Sequence, residues 1–194
     1  MSTSFLEMNY SNENFKEIVC EDESLKERSF FNCAFSTCRF DKTDFTGAEF
    51  SDCSFEHCEF SLPHLVNTSL KGVTFKNCKL VGVDFSRCSP SFLRLSFEDC
   101  LIDTCHFSYL KLKSTPFLNC VIRETRFLES VLEEADFEKS DLENTLFHQC
   151  DLKKASFLHA KNYSIDPATN NLKGAYFSLP EAVSLLMRLG IELK

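Results

Sequence analysis

The stretch CAFSTCRFDKTDFTGAEFSDCSFEHCEF, from Cys33 to Phe60, places a phenylalanine at every fifth position: 35, 40, 45, 50, 55 and 60. A period of five does not suit a helix, which turns by ~100° per residue and would spread these rings around its axis. It does not suit a flat strand, because an odd spacing sends successive side chains to opposite faces. The backbone must therefore bend once in every five residues if the rings are to share one side.

This five-residue period extends over most of the 194-residue chain. Every fifth residue from Phe30 to Phe85 is Phe or Leu, whereas residues 1–28 keep the period only loosely. The residue two before each centre is small or apolar nearly everywhere, as at Thr43, Ala48 and Val73. Because residues two apart in an extended segment share a face, we expect this small residue to point inward beside the large one.

The count breaks once, after Phe85. The next aromatic centre in the sequence is Phe92, seven residues on, and the period then continues in a shifted register to Phe157 and again at Leu172 and Phe177. The residues at the break are Arg87, Cys88, Ser89, Pro90 and Ser91. Two interpretations fit them: a bulge that absorbs two residues, or a short contact loop flanked by Arg87 and Arg94.

The eleven cysteines follow the same repeat. Ten of them occupy the small inward position, and Cys20 alone occupies a centre; the ten are 33, 38, 53, 58, 78, 88, 100, 105, 120 and 150. Their C-x4-C spacing is the repeat period and differs from the C-x2-C of zinc sites. A buried free cysteine packs as a small hydrophobe, so we expect no metal and no cofactor. The start MSTSFLEMNYSNENF does not resemble a signal peptide and there is no long apolar run, so we predict reduced thiols in a cytoplasmic protein without a membrane partner.

Three units, TDFTG at 43–47, VDFSR at 83–87 and ADFEK at 135–139, resemble the repeat of the pentapeptide-repeat proteins, which approximates A(D/N)LXX with a central Phe or Leu. The resemblance implies an all-β fold: a right-handed quadrilateral β-helix with four pentapeptides per coil, in which residues twenty apart stack. We divide the chain accordingly into an N-terminal cap (1–28), a β-helix (29–160) with a register break at 86–91, a final coil (161–177), and a C-terminal helix and tail (178–194).

The C-terminal segment SLPEAVSLLMRLGIELK is predicted to be helical. Ser178 and Glu181 have the spacing of a capping box, and Gly190 is placed as a helix stop. The helix either covers the open core of the last coil or exposes an apolar face for a two-fold dimer, formed by Val183, Leu185, Leu186, Leu189 and Ile191. The sequence SLLMRLGIEL resembles the C-terminal dimerisation helix of the quinolone-resistance (Qnr-like) and microcin-immunity (McbG-like) branch, which favours a capping and dimerisation helix and a homodimer.

That branch implies a function. Its members are rod-shaped dimers that resemble duplex DNA, bind the type II topoisomerases DNA gyrase or topoisomerase IV where DNA would lie, and relieve poisoning by quinolones or peptide toxins. The resemblance therefore implies a DNA-mimicking, topoisomerase-binding protein. The alternative is a non-catalytic interaction scaffold or immunity protein with a different protein partner.

The net charge of −8 is compatible with imitation of DNA and disfavours nucleic acid as a partner. The stacking of residues twenty apart would pair Lys113, Glu133 and Lys153 in one column. The acids predicted to have no opposite charge twenty residues away, and hence the candidates for contact with a partner, are Glu129, Asp136, Glu138 and Asp141. A solubilising surface role for them is the alternative.

Enzymatic activity is not predicted. The five histidines all fall at outward positions and are dispersed along the chain. The sequence contains no nucleophile elbow, no glycine-rich phosphate loop and no H-E-x-x-H motif. A solenoid filled with side chains also offers no deep pocket of its own.

Overall fold

The computed structural model describes residues 5–192, which form an almost entirely β solenoid of about eight coils followed by one short helix. A 3-10 turn spans Phe85–Arg87, and the helix α1 spans Val183–Arg188. In chain order the strands are β1 (Asn9–Ser11), β2 (Asn14–Lys16), β3 (Val19–Glu21), β4 (Ser29–Phe31), β5 (Ala34–Ser36), β6 (Arg39–Asp41), β7 (Glu49–Ser51), β8 (Ser54–Glu56), β9 (Glu59–Ser61), β10 (Ser69–Lys76), β11 (Lys79–Val81), β12 (Arg94–Glu98), β13 (Leu101–Asp103), β14 (Phe117–Leu118), β15 (Val121–Arg123), β16 (Arg126–Leu128), β17 (Leu146–His148), β18 (Ser156–Phe157) and β19 (Tyr176–Phe177).

Each coil contains four pentapeptides, so the solenoid has four sides. Parallel pairing joins residues twenty apart, for example Phe30 with Phe50 and Phe35 with Phe55. We number the sides by their first centres: the first side begins at Tyr10, the second at Phe15, the third at Cys20 and the fourth at Leu25. The predicted four-sided stacking is confirmed.

The strands of the first two sides merge into one nine-stranded sheet, because the long strand β10 pairs with β7 on the first side and with β8 on the second. The third side is a six-stranded sheet in the order β15-β13-β11-β9-β6-β3. Two further pairs, β16–β17 on the fourth side and β18–β19 on the second, complete the described strands, and isolated bridges continue the columns between them.

The bend in each pentapeptide falls two residues after the centre. These corner residues adopt the left-handed region, with φ from 46° at Lys42 to 63° at Tyr109. That conformation costs free energy for a residue with a Cβ, and glycine relieves the cost at corners such as Gly47 and Gly72. Hydrogen bonds between coils compensate at the other corners: the N–H of Asn119, for instance, donates to the carbonyl of Glu138 over 2.9 Å.

The core is built from continuous aromatic stacks. On the second side, nine phenylalanines from Phe15 to Phe177 lie one above another with ring centroids 4.6–5.2 Å apart. On the fourth side a similar stack runs from Phe85 to Phe147. Rings of the two stacks meet edge to face, as Phe117 and Phe127 do at 5.7 Å and 89°, which is a favourable aromatic geometry. Leucine and isoleucine fill the first and third sides of the C-terminal half.

All eleven cysteines are free and buried, as predicted. Five of them, at 38, 58, 78, 100 and 120, stack in one column behind the third side. Several thiols donate to carbonyls two residues before them or in the preceding coil, as Cys78 does to Lys76 and Phe55 at 3.3 Å. Burial raises the pKa of Cys53 to about 11 and that of Cys105 to about 12, so these thiols remain protonated and unreactive at neutral pH.

The two ends differ from the expectations in detail. The predicted cap at 1–28, of which residues 1–4 lie outside the described part, contains a regular coil, because β1, β2 and β3 pair with the coil above. Phe5 closes this end by packing against Tyr10, Phe15 and Phe30. In the segment 161–177, the buried side chains of Tyr163 and Ile165 interrupt the period before Leu172 restores it.

The helix is shorter than the segment 178–194 predicted for it, whose last two residues lie outside the described part. The capping-box prediction is wrong: no side chain caps the helix, and the hydroxyl of Ser178 instead accepts a hydrogen bond from the N–H of His159. The stop at Gly190 is confirmed. This residue has φ +74°, and the N–H groups of Gly190 and Ile191 donate to the carbonyls of Met187 and Leu186, the two hydrogen bonds of a Schellman motif.

Candidate partner-binding surface

The four acids expected to face a partner do not lie together. Asp136 and Glu138 flank Phe137 on the second side, Asp141 precedes Leu142 on the third side, and Glu129 occupies a corner between the fourth and first sides. They share only their level along the rod, near its C-terminal end. A single flat partner surface could contact the second and third sides together across one edge, but not all four positions at once.

Their environments differ as well. Asp136 accepts a hydrogen bond from the N–H of Glu138 at 3.0 Å and so stabilises the local turn. Glu138 pairs with the neighbouring Lys139 at 3.1 Å. The carboxylate of Glu129 is exposed and has no hydrogen bond or ion pair with any described residue. Glu129 therefore has the least compensated charge of this group, but it lies away from Asp136 and Glu138, which share the second side.

The prediction that Asp141 has no opposite charge twenty residues away is wrong. Its carboxylate lies 3.5 Å from the amine of Lys161, which is twenty residues further along the chain, and it accepts a 2.7 Å hydrogen bond from Asn162. Its side chain is 15% exposed. Asp141 therefore contributes to the pairing between coils, and its negative charge is compensated locally.

The predicted column of Lys113, Glu133 and Lys153 is confirmed. The Glu133 carboxylate accepts from Lys113 at 3.0 Å and from Lys153 at 3.1 Å. These two hydrogen bonds hold the pKa of Glu133 below its ordinary value. The column stabilises the surface of the first side at exposed positions, where each pair contributes little.

The register of the repeat changes at the C-terminal end of the predicted break. Cys88 is buried and Ser89 donates to the carbonyl of Thr68, so both remain in the first register. The three residues that follow, Pro90, Ser91 and Phe92, have no counterparts in the preceding coil, and pairing resumes where Lys71 lies opposite Arg94. Gly72 then has no partner in the next coil, so that Val73 pairs with Leu95 and the net shift of the register is two residues.

The prediction that Phe92 is a repeat centre is consequently wrong. Its side chain is 82% exposed, and its backbone adopts the left-handed region at φ 61°. Leu93 instead packs against the core in the place of the missing centre. The insertion thus projects an aromatic ring from the first side of the rod.

The C-terminal helix presents a largely uncovered apolar surface. Of the residues predicted to form a dimer, Leu185 packs against the core of its own chain, whereas Leu186, Leu189 and Ile191 are 37%, 55% and 45% exposed, and Val183 is half-buried. Met187, which was not among the residues predicted to form a dimer, is 69% exposed. Its spacing of four residues from Val183 could have indicated this role, because residues four apart share a face of a helix.

The first side also carries a concentration of positive charge, which the repeat pattern did not predict. From the fourth coil onward, the position immediately after the centre there carries, from one coil to the next, Lys71, Arg94, Lys113, Glu133, Lys153 and Lys173. Five of these six residues are basic in a chain whose net charge is −8. The acids of the molecule therefore dominate the other three sides and not this one.

The described residues give no indication of a catalytic centre. Within 5–192, no group of three or more His, Cys, Asp or Glu side chains is arranged to hold a metal ion. A small apolar cavity lies inside the coils around Leu65 and Leu70, where leucine replaces phenylalanine, and only apolar side chains line it. No helix among residues 5–192 is long and apolar enough to cross a membrane.

Two family models match the sequence. One, described as a pentapeptide repeat region, matches residues 28–91, and the other, described as pentapeptide repeats in eight copies, matches residues 130–161. Neither of these is an enzyme family. A comparison with curated protein sequences gave no match.

Solved structures share the fold. A trypsin-treated variant of QnrB1, a plasmid-mediated fluoroquinolone resistance protein, is 17% identical with a TM-score of 0.64, over 96% of this chain and 100% of that chain. HetL, a pentapeptide repeat protein involved in heterocyst differentiation regulation from the cyanobacterium Nostoc sp. strain PCC 7120, is 15% identical with a TM-score of 0.53, over 88% of this chain and 87% of that chain. At these identities the likeness establishes the architecture of the chain.

Proposed function

The chain belongs to the pentapeptide-repeat proteins, and from this premise we propose that it is a non-catalytic protein of the quinolone-resistance branch that binds a type II topoisomerase where duplex DNA would lie. DNA gyrase and topoisomerase IV are the two candidates. Binding there would allow it to relieve poisoning by quinolones or peptide toxins. The observation that carries the proposal is a rod with a net negative charge whose fold matches that of a fluoroquinolone resistance protein over nearly its whole length.

The dimensions of the rod support this proposal. About eight coils at a rise of ~4.8 Å each give a core about 38 Å long. Two such rods joined at their C-terminal helices would offer an elongated surface comparable to a segment of duplex. The exposed apolar residues of the helix supply the contact for the homodimer that this arrangement needs.

The distribution of charge limits which sides can imitate DNA. On the second side, six carboxylates outnumber three lysines: Glu17, Glu56, Glu98, Asp99, Asp136 and Glu138 against Lys16, Lys76 and Lys139. A duplex carries one charge per ~1.7 Å of axis, so a segment of about 38 Å would carry about twenty. The rod imitates DNA only sparsely, and we assign the contact with the topoisomerase to the acidic second and third sides.

The basic first side favours a second candidate function. A surface rich in lysine differs from DNA, and it suits a non-catalytic scaffold or immunity protein that binds a different protein partner. The two functions make different demands: DNA mimicry requires the acidic sides and competition with DNA, whereas a scaffold requires neither.

Assays of DNA gyrase supercoiling and of quinolone-induced DNA cleavage test the proposal. Purified protein is expected to reduce both activities at micromolar concentration. The double variant Asp136→Lys/Glu138→Lys should require several-fold more protein for the same effect, because it reverses two charges of the second side, within the proposed contact region. The matched control Glu27→Lys/Glu49→Lys makes the same change in net charge at exposed positions outside the second and third sides and should behave like the wild type.

No effect of the wild-type protein on either enzyme across the micromolar range would exclude the topoisomerase function. Equal loss of effect in the two double variants would show that net charge alone matters and would remove the assignment to Asp136 and Glu138. Recovery of another protein from a pull-down, unaffected by added duplex DNA, would favour the second candidate function.

A further inference from the structure

The projecting ring of Phe92 stands beside a basic depression on the first side of the rod. The depression lies between Phe31 and the insertion at 90–92, and Lys71, Arg94 and Lys111 line it together with Asp52. Lys113 completes its lower edge. The lining therefore contains four bases and one acid, a local charge of +3 (four minus one) on a chain of net charge −8.

Two of these bases are paired within the chain and two are not. Arg94 reaches across Gly72 to Asp52 at 3.3 Å, and Lys113 contacts Glu133 at 3.0 Å. The absence of a side chain at Gly72 permits the first pair, since a Cβ there would lie 2.8 Å from Nη2 of Arg94. The amines of Lys71 and Lys111 have no hydrogen bond or ion pair with any residue in the described range 5–192.

Holding several like charges on adjacent coils, about 4.8 Å apart, is unfavourable unless counter-charges approach them. Further along the same side the column alternates in sign at Lys113, Glu133 and Lys153. Between Lys71 and Arg94 the sequence instead places like charges opposite each other in directly paired strands. Asp52 compensates Arg94, so the negative charge that compensates Lys71 and Lys111 must come from solvent ions or from a partner.

The apolar part of the depression indicates which kind of partner. Phe92 is 82% exposed and Phe31 is 53% exposed, and both rings line the depression together with the cations. Exposed phenylalanine rings beside a charged surface are typical of protein contacts, in which an apolar anchor is surrounded by polar pairs. Free inorganic anions would use the cations but would gain nothing from the rings.

We propose that this depression binds an acidic segment of a partner protein, with carboxylates on Lys71 and Lys111 and an apolar side chain against Phe92. A peptide fits better than a nucleic acid. The cations extend over only about two coil rises, or about 10 Å, a length that a few residues of extended peptide cover. A longer phosphate backbone would meet the acids of the neighbouring sides. The proposal does not depend on topoisomerase binding, which uses other sides of the rod.

Fluorescence anisotropy with a labelled synthetic peptide of alternating Glu and Phe tests the site. The same peptide with Gln in place of Glu is the charge control, and a labelled oligothymidylate of equal length is the nucleic-acid control. The protein variants are Lys71→Glu/Lys111→Glu, Phe92→Ser, and the matched control Lys42→Glu/Lys79→Glu on the third side, which reverses two other unpaired lysines. Circular dichroism establishes that each variant is folded.

We expect the wild-type protein to bind the Glu peptide, to bind the Gln peptide and the oligothymidylate much less, and to lose affinity as salt is raised. Lys71→Glu/Lys111→Glu should weaken binding by about tenfold or more, Phe92→Ser should weaken it by less, and Lys42→Glu/Lys79→Glu should leave it unchanged. Failure of the wild type to bind the Glu peptide, equal loss in the control variant, or tighter binding of the oligothymidylate would each overturn the proposal.

Discussion

Two phenylalanines five residues apart in sequence have opposite environments. Phe97 is fully buried in the stack of the second side, whereas Phe92 is 82% exposed on the insertion. Both fall in the same five-residue register of the sequence, so the sequence pattern assigns them the same role. The contribution of each ring to the free energy of unfolding should therefore show whether Phe92 is a core residue, as the sequence pattern indicates, or a surface residue, as the structure has it.

We expect Phe97→Ala to lower the free energy of unfolding by about 3–5 kcal/mol, because it removes a ring from a close-packed stack and leaves a cavity. Phe92→Ala should change it by less than about 0.5 kcal/mol, since the ring is already in solvent. Chemical denaturation followed by circular dichroism measures both. Comparable losses in the two variants would contradict the assignment of Phe92 to the surface.

A titration tests the pairing at Glu133. Hydrogen bonds from Lys113 and Lys153 lower its pKa from the ordinary value of 4.5. Because the folded pKa is the lower one, this pairing stabilises the protein above pH 4.5, and its contribution is lost as the pH falls through the folded pKa. We predict that carboxyl NMR resolves the lowered pKa of Glu133, and that Lys113→Ala raises it towards 4.5. The control Lys79→Ala should leave it in place, and an unchanged titration in Lys113→Ala would refute the pairing.

The repeat made the environments of most core residues predictable, because a period of five has few structural solutions. The centres at Phe35 or Phe137 and the buried thiol of Cys78 follow from it directly. The exposure of Phe92 did not follow from the repeat. It depends on how the coils pair around Gly72, which has no partner in the next coil, and the five-residue spacing of the sequence does not show this pairing. The pair of Asp141 with Lys161 could have been found from their spacing of twenty, and it was overlooked.

At the scale of elements, the C-terminal helix is the part whose role depends most on a second molecule. It has six residues, none of them buried, and a helix of this length is not stable by its own hydrogen bonds. Contacts of Leu185 with the core hold one face, and the other face exposes Leu186, Met187 and Leu189. A dimer contact would cover that face and stabilise the helix.

We therefore predict that Leu186→Glu converts a dimer into a monomer, as measured by light scattering. The glutamate places a charge in the centre of the apolar face, and the folded monomer tolerates it because Leu186 is 37% exposed. The control is Leu158→Glu, a substitution at a leucine on the second side that is 38% exposed. It should leave the mass unchanged. Equal masses for wild type and Leu186→Glu would show that the helix only covers the last coil.

This helix was less predictable from the sequence than the coils were. Ser178 and Glu181 have the spacing of a capping box, but the hydroxyl of Ser178 is used by the adjacent coil, so the helix begins only at Val183. A tertiary hydrogen bond has replaced a local one. Gly190 stops the helix as predicted, because the Schellman motif is formed within the segment itself.

At the scale of the whole molecule, charge is distributed unevenly around the rod. The first side carries Lys71, Arg94, Lys111 and Lys113 together, while carboxylates outnumber lysines on the second side. Net charge alone could not predict this arrangement, because it becomes visible only when residues are assigned to sides twenty apart. A molecule with one basic and several acidic sides can contact two partners at once, or two regions of one partner.

The central claim is that the acidic sides of this rod occupy the place of DNA on a type II topoisomerase, and a direct competition measures it. Labelled duplex DNA is bound to DNA gyrase and the protein is titrated in while fluorescence anisotropy is followed. We predict that the protein displaces the duplex, and that Asp136→Lys/Glu138→Lys does so less effectively than Glu27→Lys/Glu49→Lys. The account would be contradicted if the anisotropy stays constant, either because the protein binds the gyrase–DNA complex without displacing the duplex or because the protein does not bind at all.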